Sequence, residues 1–267
     1  MLRNRIFILM KGDGVTEKRM KTKTAVLALL AVFFTIVLAV SLYKAFSVYF
    51  PQQQEQSRFS EYRRMVSQNE NDSPEEYNPA EKYAPLLDSN RDFRGWLTVP
   101  DTGIDYPVVM PPADDPQYYL HRDFDKNYSY SGTPFIGEGC DENSDIFIIY
   151  GHNMKTGSMF GTLDKYAGEE WAGEHRDIIF ETPEGKRVYR VFAALRTKVN
   201  SKNEYRYFDY AGNFNDEDYY RIVSGILEKS EIKLGVLPRG RVQILILSTC
   251  SYHTENGRFA VMAYRTE

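Results

Sequence analysis

The sequence contains little cysteine and little histidine, and its charges are nearly balanced. Two cysteines and four histidines occur in 267 residues, and the formal net charge is −4. Cys, His and acidic residues form no cluster with metal-ligand spacing, and no glycine-rich phosphate-binding loop is present, so we expect no metal and no cofactor. The small negative charge gives no reason to expect a nucleic-acid partner. Internal repeats and low-complexity tracts are also absent.

The longest uncharged run lies near the N-terminus. Residues 25–43 (AVLALLAVFFTIVLAVSLY) carry no charge, and nineteen residues are about enough for a helix to cross a bilayer. Residues 1–24 are rich in Lys and Arg, which predicts a cytoplasmic N-terminus and an extracellular C-terminal part. A cleavable signal peptide is the alternative, but its apolar core would be shorter, roughly 7–15 residues. We therefore predict a single-pass membrane anchor.

Two regions of different composition follow this run. Residues 44–83 are polar and rich in Gln, Glu, Asn and Ser, with little to bury, so we interpret them as a stalk with a helical piece at 55–68. Residues 84–267 have the composition of a folded domain. The domain is expected on the outer side of the membrane.

Short strand-like runs dominate residues 84–267. Turn signals such as EGK (184–186) separate them, and 20 Tyr and 16 Phe suit β-rich walls. Many short strands with few helices predict an antiparallel sandwich or a closed barrel. The candidate strands are 96–100, 106–109, 146–150, 188–197, 242–247 and 259–264.

Two helices are predicted in the same domain. Residues 158–166 form a short one, with its apolar residues on one side. The second follows Asn215, which can cap it, and lies in an insertion between residues 197 and 241. Its apolar residues recur at helical spacing and predict a face that packs on the core. They are Tyr219, Ile222, Val223, Ile226 and Leu227.

Cys250 ends an apolar run, ILILSTC, and Arg258 follows it eight residues later. A cysteine reacts as thiolate, which requires exposure and a nearby cation or base. The next candidate strand begins near residue 259, which puts Arg258 at its start. Because adjacent strands lie about 4.8 Å apart, Arg258 would then lie beside the thiol. A buried structural cysteine is one alternative. A Cys140–Cys250 disulfide is the other, because extracytoplasmic domains form disulfides.

One histidine also lies at a strand end. His152 follows the apolar run IFIIY through a single glycine, whereas His121, His175 and His253 lie among polar residues and look like ordinary loop histidines. A cysteine and a histidine at strand ends, with an arginine nearby, form a pattern for nucleophilic catalysis. The sequence therefore predicts that His152 is the partner of Cys250.

These motifs together resemble the sortases, the membrane-anchored cysteine transpeptidases of Gram-positive bacteria. The resemblance covers nearly all of residues 84–267. The insertion between residues 197 and 241 and the form YGHNMKTGSMF are similar to class B rather than class A. The motifs that carry the resemblance are LSTC (247–250) with Arg258, YGHNMKTGSMFGTL (150–163), GWLTVPDTGIDYPVV (95–109) and YYLHRDF (118–124).

The resemblance implies an eight-stranded antiparallel β-barrel with helical additions. It also implies cleavage of a C-terminal sorting signal after its threonine and transfer of the surface protein to an amine of a peptidoglycan precursor. In such a reaction Cys250 is the nucleophile and His152 the acid and base. Arg258 holds the signal and stabilises the charge that develops on its carbonyl oxygen.

The resemblance further implies positions that contact the substrate. Leu120 belongs to the YYL segment, and Ser248 and Thr249 belong to the cysteine motif. The backbone N–H of Ser251 is a candidate second oxyanion donor, and Tyr205 corresponds loosely to an aromatic residue of the insertion. Each of these residues has a purely structural alternative in packing.

One position departs from the family pattern, and one cysteine has no assigned role. Some class B proteins carry an acidic residue two positions after the cysteine. Here Tyr252 occupies that position, which excludes a Cys-His-Asp triad that uses it. Cys140 is the cysteine without a role.

Two other functions remain open at the level of sequence. A membrane-anchored cysteine peptidase would hydrolyse its substrate instead of transferring it. A non-catalytic wall-binding domain would be held together by a Cys140–Cys250 bridge.

Overall fold

The chain divides into two compact units, residues 1–53 and 54–267. Helix α1 (Arg3–Gln68) begins in the first unit, and its segment Arg19–Phe46 is long and apolar enough to cross a membrane, with a mean hydropathy of 2.9 in its most apolar stretch. The computed structural model describes residues 3–68, 77–199, 204–234, 240–251 and 255–267.

Eight strands lie in the described part of the second unit and close into a barrel. They are β1 (Phe93–Thr98), β2 (Asp105–Val109), β3 (Phe135–Ile136), β4 (Ile146–Tyr150), β5 (Asp177–Thr182), β6 (Gly185–Lys198), β7 (Ile244–Ser251) and β8 (Gly257–Arg265). The order around the barrel is β1-β2-β3-β4-β7-β8-β6-β5. The closed barrel confirms the predicted fold, but the pairs β2–β3 and β4–β7 are parallel, so the barrel is mixed rather than wholly antiparallel.

Strand β4 and residues 244–247 of β7 are continuously apolar because both of their faces are covered. Phe147 and Leu245 belong to the main core of the barrel, whereas Ile148 and Ile246 belong to a second cluster that includes Ile226 of helix α4 (Asp216–Lys229). Parallel strands buried on two sides have this continuous apolar pattern. The two strands that carry the candidate cysteine and histidine are therefore held rigidly by packing on each side.

Three further helices pack around the barrel among the described residues: α2 (Pro79–Ser89), α3 (Glu169–Glu174) and α4. Helix α4 confirms the prediction for the insertion, and Asn215 caps it by accepting a hydrogen bond from Asp218 N at 2.9 Å. The prediction of a helix at 158–166 is wrong. Gly157 and Met159 have φ of 83° and 53°, which breaks a helix, and only the 3₁₀ helix Leu163–Ala167 forms there.

Residues 55–68 are the C-terminal part of α1, belong to the second unit and contribute to its core. Phe59, Tyr62 and Val66 are buried, which differs from the expectation that this polar segment has little to bury. The ring of Phe59 lies edge-on to Tyr106 of β2, with the two centroids 5.0 Å apart. The segment is rich in polar residues because only one face of the helix is covered.

Candidate active site

Cys250 lies near the C-terminal end of β7, directly opposite Arg258 on β8. The six preceding residues of the strand are buried, whereas Cys250 itself is exposed. Both cysteines carry free thiols, so the disulfide considered from the sequence is not formed. The antiparallel register thus places a cation beside an exposed thiol, as the sequence predicted.

His152 reaches the same end of the sheet because β4 runs parallel to β7. Tyr150 lies opposite Ser248 at the end of the paired region. Two hydrogen bonds extend the pairing beyond the strands: Gly151 N donates to Ser248 O at 3.1 Å, and Thr249 Oγ1 donates to Gly151 O at 2.7 Å. The histidine follows at the next position.

The imidazole of His152 is half-buried and held by one main-chain contact. Its Nε2 lies 2.8 Å from the carbonyl oxygen of Leu120, and since a carbonyl only accepts, Nε2 carries the proton. Burial lowers the pKa of His152 below 6.5, and the neighbouring His121 ring, 5.3 Å away between centroids, lowers it further. The hydrogen bond to Leu120 and the charge of Glu55 oppose this lowering.

Asn153 joins the two strand ends through its side chain. Its Nδ2 donates to the carbonyl oxygen of Cys250 at 2.8 Å and to Asp164 Oδ2 at 3.0 Å. Asn153 is buried, so these bonds fix the main chain at the cysteine. Sequence reasoning missed this residue, and its position directly after His152 was the available signal.

A cavity of about 600 Å³ opens over these groups. This volume is in the range of small-molecule and peptide pockets. Cys250, His152 and Arg258 all line it. The described residues that complete its wall include Leu120, Phe135, Glu138, Tyr150, Tyr207, Phe208, Ser248 and Thr249.

The sequence matches the family model described as Sortase domain over residues 97–266. The chain belongs to the sortase family. It is 33% identical to Sortase B of Listeria monocytogenes serovar 1/2a over 179 residues, which are 64% of this chain and 69% of that protein. It is 26% identical to Sortase B of Staphylococcus aureus over 244 residues, 89% of this chain and 95% of that protein.

Solved structures agree with this assignment. A Staphylococcus aureus sortase B–substrate complex superposes with a TM-score of 0.71 at 25% identity, covering 82% of this chain and 99% of that chain. Sortase B from B. anthracis in complex with AAEK1 gives 0.68 at 27% identity, again covering 82% and 99%. The protein is thus a class B sortase, and sortases are cysteine transpeptidases.

Three of the substrate positions implied by the resemblance lie around the sortase cavity. Leu120, Ser248 and Thr249 contribute to its wall. The side chains of the last two are engaged within the protein, however. Ser248 Oγ lies 2.7 Å from the hydroxyl of Tyr207, and Thr249 Oγ1 is bound to Gly151 O. These two side chains hold the strand end in place.

The other two positions, Ser251 and Tyr205, are not among the described residues that line the cavity of this sortase. Ser251 is buried and pairs with Gly257 of β8. Tyr205 packs on α4, where its hydroxyl donates to Ile222 O at 2.9 Å. Among the described residues of the insertion, Tyr207 and Phe208 are the aromatic ones that line the cavity. The predictions about Tyr252 and His253 concern residues outside the described part of the structure.

Cys140 differs from Cys250 in its surroundings. It is half-buried, and its thiol donates to Gly137 O at 3.3 Å. Burial raises the pKa of Cys140 to about 11. A thiol with such a pKa stays protonated at neutral pH and is a poor nucleophile. The exposed Cys250 is therefore the candidate for covalent chemistry.

Proposed function

We propose that this class B sortase cleaves a C-terminal sorting signal after its threonine and transfers the surface protein to an amine of a peptidoglycan precursor. The observation that carries the proposal is the convergence of Cys250, Arg258 and His152 on one cavity. The strands β4, β7 and β8 are neighbours in the barrel, and these three residues lie at the same end of them. Residues 84–267 are the proposed catalytic domain.

The first half-reaction forms a thioester. The thiolate of Cys250 attacks the threonine carbonyl carbon, and the bond to the following residue breaks as the carbonyl reforms. The departing nitrogen takes its proton from the imidazolium of His152. With Nε2 bound to Leu120 O, Nδ1 is the ring nitrogen that exchanges this proton.

The second half-reaction transfers the acyl group. An incoming amine gives its proton to Nδ1 of His152 while its nitrogen attacks the thioester carbon, and the Cys250 thiolate leaves. Arg258 contributes in both halves by binding the negative charge on the carbonyl oxygen. It lies opposite the cysteine in the ladder, which puts it next to the carbon that the thiolate attacks.

The substrate class follows the family and one solved relative. Staphylococcus aureus sortase B was solved as a substrate complex, at 25% identity to this chain. Leu120, Tyr207 and Phe208 give the cavity of this chain an apolar wall next to the polar catalytic groups. Such a wall suits an extended peptide that is held by apolar side chains and oriented by a few polar groups.

The location follows from the apolar segment of α1. Arg19–Phe46 is long enough to anchor the chain in a membrane. The Lys and Arg residues that precede it favour a cytoplasmic N-terminus. We therefore place residues 84–267 on the cell-wall side, where surface proteins and peptidoglycan precursors are available.

A fluorogenic library of sorting-signal peptides, assayed with and without an amine acceptor, tests this function. We expect a thioester in the absence of acceptor and an amine-linked product in its presence. Cys250→Ala and His152→Ala should abolish the thioester while circular dichroism shows a folded barrel, and Cys140→Ala should retain it. Hydrolysis alone at every acceptor concentration would instead identify a cysteine peptidase.

A further inference from the structure

The carboxylate of Glu55, on α1, is bound by a loop of the barrel, residues 129–131. It accepts hydrogen bonds from Ser129 Oγ at 2.7 Å, from Tyr130 N at 3.1 Å and from Ser131 Oγ. Both serines are buried. Hydrogen bonds to an ionised carboxylate are among the stronger ones in proteins, and three of them converge here. Glu55 thus fixes residues 129–131 to the helix.

The same loop is tied to the segment that touches the catalytic histidine. Ser129 N donates to His121 O at 3.0 Å, and Thr133 N donates to Tyr119 O at 3.1 Å. Between them Gly132 adopts φ of +62°, and a Cβ at that position would meet Leu120 O at 2.4 Å. Residues 119–121 and 129–133 are therefore in close contact at the Leu120 carbonyl, with no room for an added side-chain atom at Gly132.

Two further contacts join the same face of α1 to residues 123–125, which precede this loop. Arg58 forms an ion pair with Asp123, and the hydroxyl of Tyr62 donates to Asp125 Oδ2 at 2.6 Å. Residues 55, 58 and 62 lie about one helical turn apart, so their side chains form a row that contacts residues 123–131. Of this row, Glu55 is the member bonded to the stretch 129–131 that packs behind Leu120.

We propose that Glu55 is a positioning residue for His152, acting through residues 129–131 and the Leu120 carbonyl. The carboxylate holds Ser129–Ser131, these residues hold the main chain at 119–121, and the Leu120 carbonyl fixes the imidazole through its Nε2. The inference rests on the role of His152 proposed above. It makes the membrane-proximal helix a part of the catalytic apparatus rather than a spacer.

Loss of the carboxylate has two consequences for His152. The loop loses its attachment to the helix, so the hydrogen bond from Nε2 to Leu120 weakens and the ring moves. Displacement of a reacting group by about 1 Å costs on the order of 100-fold in rate. The hydrogen bond and the Glu55 charge also both raise the pKa of His152, so their loss lowers it.

The test compares three variants of the full-length chain in detergent micelles. Glu55→Ala removes the acceptor, Glu55→Gln keeps one acceptor oxygen without the charge, and Glu61→Ala is the matched control at an exposed position of the same helix. The readouts are the rate of thioester formation and the NMR titration midpoint of His152. The signal of His152 is assigned by its absence in His152→Ala.

We expect Glu55→Ala to reduce the rate roughly tenfold to a hundredfold and to lower the His152 midpoint. Glu55→Gln should recover part of the rate, and Glu61→Ala should match the wild type. A lowered melting temperature with an unchanged rate and an unchanged His152 midpoint would show that Glu55 is only structural, and the proposal would be wrong.

Two complications leave the test decisive. Should Glu55→Ala fail to fold, Ser131→Ala removes one donor from the loop side, leaves the helix intact, and is judged by the same midpoint and rate. Should the wild type form no thioester with any peptide, the proposed function fails, whereas the His152 midpoint still decides whether Glu55 acts on the histidine.

Discussion

The guanidinium of Arg258 is held against its own strand, where Nη1 donates to Gly257 O at 3.0 Å. We expect Arg258→Lys to lower the rate of thioester formation by roughly 100-fold to 1,000-fold, the cost of losing one oxyanion donor. A lysine ammonium is a point charge and does not reproduce the planar fork. Stopped-flow measurement with a fluorogenic peptide checks this.

The control for this substitution lies on the same strand. Arg265 is exposed and lies at the other end of β8, far from the cavity. An arginine can be replaced by lysine there without touching the site. Arg265→Lys should react at the wild-type rate. Near-normal turnover by Arg258→Lys would mean that Arg258 serves packing or solubility instead.

His121 is the second histidine beside the site, and its charge acts on His152. We expect His121→Gln to raise the pKa of His152, because the substitution removes the charge of His121 that opposes protonation of His152. NMR titration measures the midpoint, and His175→Gln, stacked on Trp171, is the control. A downward shift would contradict the prediction.

The reactive residues could be predicted because they sit where regular patterns end. Cys250 and His152 each follow an apolar strand, and the pairing of β7 with β8 brings Arg258 opposite the cysteine. Leu120 lines the cavity as expected, whereas Asn153 and Glu55 were missed. Their roles depend on loops folding back in space, and a loop carries no periodic signal that reveals its contacts.

At the scale of elements, the predicted runs overlap β1, β2, β4, β6, β7 and β8, whereas β3 and β5 were not predicted. Strand β3 has two residues, too few to show any alternation. The residues of β5 (DIIFET) alternate in burial, but its three apolar residues are consecutive, so the sequence shows no alternation that would predict the strand. The apolar spacing of 158–166 predicts a helix wrongly, because the spacing cannot reveal that Met159 adopts a positive φ.

The loop after His152 owes its shape to Gly161. A Cβ there would lie 2.3 Å from Met154 O and 2.9 Å from Gly157 Cα, both main-chain atoms. We expect Gly161→Ala to destabilise the protein by roughly 1–3 kcal/mol, the usual cost of overpacking. It should also slow thioester formation, because Phe160 N donates to His152 O in the same loop.

Gly173 of helix α3 provides the matched comparison. A Cβ there meets no atom within 4 Å, so Gly173→Ala should leave stability unchanged or increase it by about 0.5–1 kcal/mol. Urea denaturation of both variants measures the difference. Equal stabilities for the two alanine variants would show that the loop adjusts around Gly161 without cost.

The connection between β4 and β7 depends on the Asn153 side chain beyond the last ladder bond. Asn153→Ala leaves the Cys250 carbonyl and Asp164 without this donor, which should cost roughly 1–3 kcal/mol of stability. Thioester formation should fall as well, because the main chain at the nucleophile loses its anchor. Thermal unfolding and the peptide assay measure the two effects. A loss of stability with full activity would mean that the bond only supports the fold.

At the scale of the whole molecule, the two cysteines report on membrane orientation. Both lie after the apolar segment Arg19–Phe46, so both belong to the part proposed to be outside the cell. Cys250 is exposed, whereas burial raises the pKa of Cys140 to about 11. A membrane-impermeant maleimide near neutral pH should therefore label mainly Cys250, because the thiolate is the reacting form.

We expect this reagent to label the wild-type chain in right-side-out membrane vesicles, and Cys250→Ala to lose most of the label while Cys140→Ala keeps it. The physical reason is that the positive segment before the apolar helix resists translocation, so the chain that follows the helix crosses the membrane. Mass spectrometry of the labelled peptides identifies the site. Labelling that appears only after the vesicles are permeabilised would place the cysteine on the cytoplasmic side and reverse the proposed orientation.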